Sequence, residues 1–538
     1  MENQSVYLKP NTVIEPLYDQ WYAWSHLISP ATAAMNTVGR HLKIMNSFIQ
    51  APQIHAAAVK NPRMKGGPFI DMDPARVAEI RQLKEDTVRK RDLLIKFTAA
   101  VNELTRLLKS KAKGFSLEDL YREVPEILQG YVELVYDLNN QPAFRFFEPL
   151  LYKSDFYAED AQSIAMWVTD NDERPFVLST PRMQDDPGVI HFNIPFRSKA
   201  IDVLGSMKHK PFPYNGIRSM LNVAPEDEQL FESFFTAEKP EPYQRYQGDK
   251  VRMRYFGHAC ILVETRDVSI LLDPLISYYG YEAEVGRFSD ADLPPEIDYV
   301  LITHNHQDHI LFETLLPLRH RIKNLIVPAT TSGSLQDPNL RLMFQNLGFN
   351  QVIEIQDLQT IEFADCSITG VPFIGEHCDL NIQTKICHHV KTGGFSMLFA
   401  ADSANVQPRL YDHIQRLIGD IDILFLGMEC DGAPLTWLYG PLLSEEIERG
   451  KDQSRRLAGS NFERGMALVD AFNPKEAYVY AMGMEPWLEF ISSIKYTDES
   501  RPIVDSNRFV AACEDRGIVA ERLFGEKELL YNKVESLT

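Results

Sequence analysis

The chain has 538 residues, more than a single hydrophobic core can serve, so two to four domains are expected. Hydrophobic residues make up 44% and charged residues 24%, the balance of a folded globular protein. With 55 Lys and Arg against 75 Asp and Glu, the formal net charge is −20, which excludes a general nucleic-acid binder and leaves small molecules, or a protein that meets a local basic patch, as ligands.

The N-terminal stretch MENQSVYLKPNTVIEPLYD carries neither the basic nor the apolar segment of a secretory leader, and no run of about 18 apolar residues predicts a membrane span. Apolar residues at three- and four-residue spacing over 75–110 predict one long amphipathic helix. Its Arg76, Arg81, Lys84, Arg89, Lys90 and Arg91 read as a solvated face or as a docking surface for an acidic partner. A second helix is expected to start at Ser116, an N-capping serine with Glu118 and Asp119 behind it. The segments SIAMWVTD, RPFVLSTPR and GVIHFNIPF read as strands. The polar, Pro-rich segment KPEPYQRYQGDK then predicts a linker, dividing an α+β part over 1–245 from a second part over 246–538.

The second part alternates strands and helices, the signature of an α/β layered architecture. A hairpin from RMRYFGHACILVET to VSILLDP leads to the strand DYVLIT, the helical LFETLLPLRHRI, the strand NLIVPA and the helical NLRLMFQNLGF. The pattern closes with ILFLG, NFERGMALVDAF and AYVYAMG. No P-loop, dinucleotide fingerprint or nucleophile elbow is present. The cysteines Cys260, Cys366, Cys378, Cys387, Cys430 and Cys513 form no C-x-x-C pair, which fits reduced thiols in a cytoplasmic enzyme.

One heptapeptide carries the chemistry. Thr303-His304-Asn305-His306-Gln307-Asp308-His309 directly follows the apolar strand. Side chains alternate along extended backbone, so His304 and His306 point the same way and can share a metal. Asp308 and His309 then turn toward a neighbouring position about 3.5–4 Å away, the spacing of a two-metal site.

This motif resembles that of the metallo-β-lactamase superfamily, and the resemblance implies its αββα fold for 246–538. GHACILVET with LLDP resembles the family's opening hairpin, which implies that Asp273 stands beside the metals, and Asp402 in SMLFAADSA matches the aspartate that bridges them. The sequence departs from the hydrolase pattern in two places. Where a third histidine usually serves the first metal it reads Gly375-Glu376-His377-Cys378, and after His413 there is no histidine to close the second metal, the expected position reading Tyr480-Ala481-Met482-Gly483. A donor set short of imidazole and enriched in carboxylate leans from zinc toward iron.

The combination resembles the diiron β-hydroxylase of chloramphenicol biosynthesis and its relatives. The resemblance implies two Fe ions, with His304, His306 and Glu376 on one, Asp308 and His309 on the other, and Asp402 between them. It further implies O2 as co-substrate, an external electron donor in the form of a separate reductase, and a homodimer formed through residues 1–240. The substrate it implies is an aminoacyl thioester on a carrier domain of a nonribosomal peptide synthetase, hydroxylated at its β-carbon. Glu376 and Asp402 are thus expected to take part in catalysis, with Glu429 orienting a ligand or contacting substrate. His377 is the rival to Glu376; if it binds instead, the site looks like that of a dizinc or manganese hydrolase, a lactonase or phosphodiesterase acting on a soluble ester. His258 is expected in the core or behind the ligands, and His388 and His389 in structural or surface positions. Trp437, Tyr439 and Trp487 are candidates for lining a pocket for an aromatic side chain.

Overall fold

The computed structural model describes residues 4–331, 333–363 and 365–531. Two seven-stranded sheets dominate the second part of the chain. Across the first sheet lie Val352–Ile355, Ile322–Pro328, Ile297–Leu301, Ser269–Leu272, Ile261–Glu264, Val251–Tyr255 and Lys527–Tyr531. Across the second lie Thr360–Phe363, Cys366–Pro372, Ile386–Thr392, Phe395–Phe399, Ile423–Gly427, Glu476–Tyr480 and Val519–Arg522. Alternate residues of both sheets, among them Met253, Val263, Ile270, Leu301, Ile368, Val390, Met397 and Phe425, meet in one buried layer, as expected of two sheets packed face to face. Helices Arg409–Ile418, Phe462–Phe472 and Arg501–Glu514 close the outer face of the second sheet. This is the αββα arrangement.

The outer face of the first sheet is covered differently. Leu262, Leu271, Val300, Leu325 and Val327 belong to a core that runs on through helix Phe312–Leu318 into Leu27, Phe97, Ile164 and Leu204 of the N-terminal part. Residues 237–250 contain neither helix nor strand, yet the chain on either side of them shares this core. Helix Lys199–Ser206 approaches helix Phe312–Leu318 so closely that a Cβ on Gly205 would stand 2.0 Å from the Pro317 carbonyl oxygen, so only glycine fits there. In the N-terminal part, Thr12–Tyr18 pairs antiparallel with Gln162–Val168, which pairs with Ile190–Phe192, so two of the three expected strands form.

The third does not. RPFVLSTPR runs without a strand ladder. Pro175 and Pro181 have no N–H to give, and Arg174 and Arg182 both turn onto the buried Glu15 carboxylate at 2.9 and 2.7 Å. Arg174 also forks onto Glu313 at 2.9 and 3.0 Å, where Tyr278 donates a further hydrogen bond of 2.8 Å. The single long helix over 75–110 is likewise two, Val77–Lys90 and Asp92–Lys111. Arg91 leaves the helical region (φ −109°, ψ 26°), with its guanidinium held by Asp19 and Asp160 at 2.7 and 2.8 Å. Buried Ile80, Leu83 and Thr87 stay in phase with Leu94, Phe97 and Val101 across the break, so periodicity does not register it. Ser116 does accept the Glu118 N–H, but one 3-10 segment, Glu118–Glu123, follows in place of an α-helix. All six cysteines are free and buried, and among the described residues no helix is long and apolar enough to cross a membrane.

The Glu15–Arg174–Glu313 cluster ties strand Thr12–Tyr18 of the N-terminal part to the helix behind the metal-ligand loop. Truncating Glu313 to Ala leaves buried Arg174 under-neutralised and is expected to cost about 3–5 kcal/mol, read as a lowered midpoint in denaturant. Burial raises the Glu15 carboxyl, but Arg182 and Arg174 outweigh it and hold the group at about 2, against 4.5 unperturbed. A depressed acid contributes stability above its unfolded value and loses it as pH falls through the folded one, so roughly 3 kcal/mol should disappear between pH 5 and pH 2. In Glu15→Gln the stability should be lower at neutral pH and that part of the acid slope should vanish.

Candidate metal centre

The strand directions gather the site. Ser269–Leu272 and Ile297–Leu301 run parallel in the first sheet, and Phe395–Phe399, Ile423–Gly427 and Glu476–Tyr480 run parallel in the second. Their C-terminal ends deliver Asp273, the 303–309 segment, Asp402, Glu429 and Ala481 to one edge. Cys366–Pro372 points the same way through two antiparallel pairings and delivers Glu376. His258 comes from the turn between Val251–Tyr255 and Ile261–Glu264.

The backbone at this edge is strained. His258, Asp273, Glu376, Ala401 and Ala481 have φ of 52°, 37°, 66°, 44° and 52°, the left-handed region that non-glycine residues avoid at a cost of about 1–3 kcal/mol each. Every one of these residues is a site residue or immediately follows or precedes one in the loops that form it.

Three groups of side chains converge, each with its potential ligand atoms within 4.8 Å of one another: His304, His306, Glu376 and His377; His258, Asp308 and His309; and His304, His309 and Asp402. Asp402 Oδ2 lies 3.2 Å from His309 Nε2 and 3.8 Å from His304 Nε2, between the other two groups. His304 Nε2 and His306 Nδ1 face each other at 3.1 Å, and Glu376 Oε1 is 3.2 Å from His306 Nδ1. His377 Nδ1 lies 2.7 Å from Glu376 Oε2, so the two rivals of the sequence share one group.

The second nitrogen of each ring is held from behind, and this fixes which nitrogen can bind. Thr303 Oγ1 gives its single hydrogen to Asp273 Oδ2 at 2.6 Å, so it can only accept from His304 Nδ1 at 3.0 Å. His309 Nδ1 donates to Asp273 Oδ2 at 2.8 Å. Both rings thus turn a bare Nε2 inward, the pattern of a metal-binding imidazole with an oriented outer nitrogen. His306 Nε2 meets the buried Tyr439 hydroxyl at 3.2 Å, leaving Nδ1 to face the group. His258 is different. Its Nδ1 accepts the Gly483 N–H at 3.2 Å, which places its proton on Nε2, aimed at Asp308 Oδ2 at 3.5 Å. The same Nε2 lies nearer still to His309 Nε2, at 3.3 Å, so His258 turns a proton donor toward the Asp308–His309 group. The segment where the hydrolase pattern has its last histidine serves here to hold this ring, with Ala481 N–H bonding its carbonyl at 2.8 Å.

The electrostatics call for cations. Asp308, Glu376 and Asp402 are ion-paired with histidines alone, and no Lys or Arg pairs with them among the described residues. Asp402 Oδ1 and His377 Nε2 are buried without a hydrogen-bond partner, a cost that a coordinated ion removes. Burial, then the neighbouring His309 and His306, push the His304 imidazole far down, so it stays neutral as a ligand must. For His309, burial is outweighed by Asp402 and Asp273, which raise it strongly; a cation between the rings would take up that same negative charge. A mixed set of imidazoles and carboxylates with a carboxylate placed between two groups fits a pair of iron ions.

A cavity of about 490 Å3 opens on the groups, lined by Asp308, Glu376, Asp402 and Glu429 and by Tyr496. Burial first, then Asp402 and Asp308, push the Glu429 carboxyl far up, so it favours the protonated, donating form. Of the three aromatic candidates, Trp437 lines this cavity and Tyr439 touches His306, whereas Trp487 packs in the core under the Arg287 guanidinium, 4.4 Å from its ring centre. His388 and His389 bond Ile302 O and Ser396 Oγ, away from the groups. Sequence reasoning missed Tyr496, the roles of Tyr439 and Gly483, and a loop of the N-terminal part: Arg63 to Gly67 and Phe69 form one wall of the cavity.

Comparison with known proteins agrees with this geometry. The diiron non-heme β-hydroxylase N-terminal domain matches residues 7–240, and the β-lactamase superfamily domain matches residues 269–434. The chain is 40% identical over 524 residues, 96% of its own length and 98% of the relative's, to the 4-amino-L-phenylalanyl-[CmlP-peptidyl-carrier-protein] 3-hydroxylase of Streptomyces venezuelae. The crystal structure of CmlA, a diiron β-hydroxylase from Streptomyces venezuelae, superposes with a TM-score of 0.91 at 38% identity, covering 98% of this chain and 100% of that one. A metal-dependent hydrolase of Enterococcus faecalis is 30% identical over 158 residues, 28% of this chain and 67% of that protein. A full-length match at this identity and the two-group carboxylate-rich centre lead to one conclusion: the chain belongs to the diiron non-heme β-hydroxylase family.

Proposed function

We propose that this protein is a diiron monooxygenase that uses O2 to hydroxylate the β-carbon of an aminoacyl group held as a thioester on a nonribosomal peptide synthetase carrier domain. The observation that carries the reading is Asp402, a buried carboxylate set between the His304–His306–Glu376 and Asp308–His309 groups in a chain whose relative of like length is a carrier-protein aminoacyl 3-hydroxylase. On this reading His304, His306 and Glu376 would hold one iron and Asp308 and His309 the other, with Asp402 within reach of both groups. When bound, the iron pair supplies O2 reduction and removal of hydrogen from an unactivated C–H bond.

The chain's own residues do the rest. Asp273 and Thr303 keep the Nε2 lone pairs of His304 and His309 directed inward. His258 stands against both His309, at 3.3 Å, and Asp308, at 3.5 Å, whose side chain is 19% exposed. Glu376 is a carboxylate, able to change its binding mode as the charge on the metal changes, which an imidazole in its place is not. Glu429 Oε and the Tyr496 hydroxyl, which has no hydrogen-bond partner among the described residues, face the same cavity and are placed to donate to a substrate or to shuttle a proton. With no nucleotide fingerprint in the sequence, a separate reductase supplies electrons. We place partner docking and dimerisation in 1–245, catalysis in 246–538, and the protein in the cytoplasm. The soluble-ester hydrolase reading has no comparable support, because the relative that matches the whole chain is a hydroxylase.

Protein from iron-replete cells is expected to carry about two irons per chain with a spin-coupled Mössbauer signal; two zincs with no activity after iron loading would sink the reading. Aminoacyl carrier protein should be hydroxylated and the free amino acid should not. Asp273→Asn removes the acceptor that orients His309 and is expected to weaken metal affinity by about 10–100-fold. His258→Phe should retain both irons while turnover falls; loss of one iron would make His258 a ligand. Glu376→Ala should abolish hydroxylation, and unchanged metal content and turnover would promote His377.

A further inference from the structure

A second cavity, of about 600 Å3, lies beside the metal cavity and shares with it Gly66, Gly67, Phe69, Pro434 and Trp437. Its charge is anomalous for this chain. The protein has a net charge of −20, yet none of the residues lining this cavity is an Asp or Glu, while Arg40 and Lys43 are among them. Neither cation has a carboxylate partner among the described residues. Arg40 gives Nη2 to the carbonyls of Trp437 and Leu438 at 2.7 and 3.2 Å and Nε to Asn36 Oδ1 at 3.3 Å, which leaves Nη1 without a hydrogen bond among the described residues. Burial pushes its guanidinium down to about 10, the mark of a cation that lacks its counter-charge. Arg40 also sits in a π-helical turn, Thr37–Leu42, a rare geometry that concentrates at functional sites.

We propose that this cavity binds the phosphodiester of a phosphopantetheine arm, with Arg40 and Lys43 as its anion contacts and Phe69, Phe176 and Trp437 as the apolar wall for the arm. The inference rests on the carrier-thioester reading, since such carriers hold their acyl groups on that arm. A half-buried guanidinium with an open fork position suits a phosphate oxygen, and an exposed lysine at the rim adds a second point charge. The arm's thioester end would then pass over Trp437 and the Gly66–Phe69 loop, the residues common to both cavities, into the metal cavity. Arg40 has a second task in this arrangement. Its bonds to Trp437 and Leu438 brace the short helix Leu435–Tyr439, whose last residue touches His306, so occupation of the anion site and placement of the metal-side hydroxyl share one support.

The test is calorimetric titration of the iron-loaded protein with 4′-phosphopantetheine and with pantetheine, which differ by the phosphate alone. Phosphopantetheine is expected to bind about tenfold more tightly, and Lys43→Glu, at an exposed position that does not threaten folding, should bring the two ligands to within about twofold. Arg40→Lys should retain part of the preference and Arg40→Gln should lose it. Equal binding of the two ligands to the parent protein, no binding of either, or an undiminished preference in Lys43→Glu and Arg40→Gln would overturn the assignment. The parent reading fails separately. If carrier-bound aminoacyl groups are not hydroxylated but the phosphate preference stands, the anion site survives; if they are hydroxylated with no preference, only the anion site falls.

Discussion

The structure is organised around one electrostatic constraint: Asp308, Glu376 and Asp402 line one cavity beside shared histidines, largely out of bulk water and, among the described residues, with no arginine or lysine ion-paired to them. Such a cluster is tolerable only if histidines and bound cations compensate it. The αββα frame meets the constraint by ending six strands at the same edge. The loops that follow take up the strain, with left-handed backbone at His258, Asp273, Glu376, Ala401 and Ala481. Strain of this kind persists only where the surroundings over-determine it, and here two packed sheets do so.

A layer of fixed hydrogen bonds converts that frame into chemical specificity. Asp273 binds no group of the cavity, yet through Thr303 and His309 it decides which ring nitrogens face inward. Gly483 does the opposite for His258, turning a histidine within reach of the centre into a proton donor. Two histidines with similar surroundings thus have different functions because one is backed by an acceptor and the other by a donor. The departure from zinc hydrolases follows in the same terms: the carboxylate Glu376 stands in the first group, and the late strand offers a backbone N–H where those enzymes have an imidazole.

Much of this was legible in the sequence, and the reasons are local. Thr303 to His309 encode four site residues in seven positions, and the strand before them sets their alternation. Asp402 and Asp273 were readable because each ends a strongly apolar strand within a familiar pattern. The orienting partners were not, because Gly483 lies 225 residues from His258 and Tyr439 lies 133 from His306. The break at Arg91 was invisible for another reason: the apolar period continues through it unaltered, and only the distant Asp19 and Asp160 show why the backbone departs. RPFVLSTPR was misread because its β-type composition was weighed without the two prolines and the arginines that turn onto Glu15.

The loop from Arg63 to Phe69 belongs to the N-terminal part but walls the cavity over the metal-binding groups. The catalytic half is consequently not a portable module. Grafted onto another partner, or duplicated without its companion, it would inherit the ligands with one side of the chamber unroofed. Divergence toward new substrates within such a lineage has to be co-written in both halves, and the record of which acyl groups are accepted should be sought as much in this short glycine-bearing loop as among the residues around the iron.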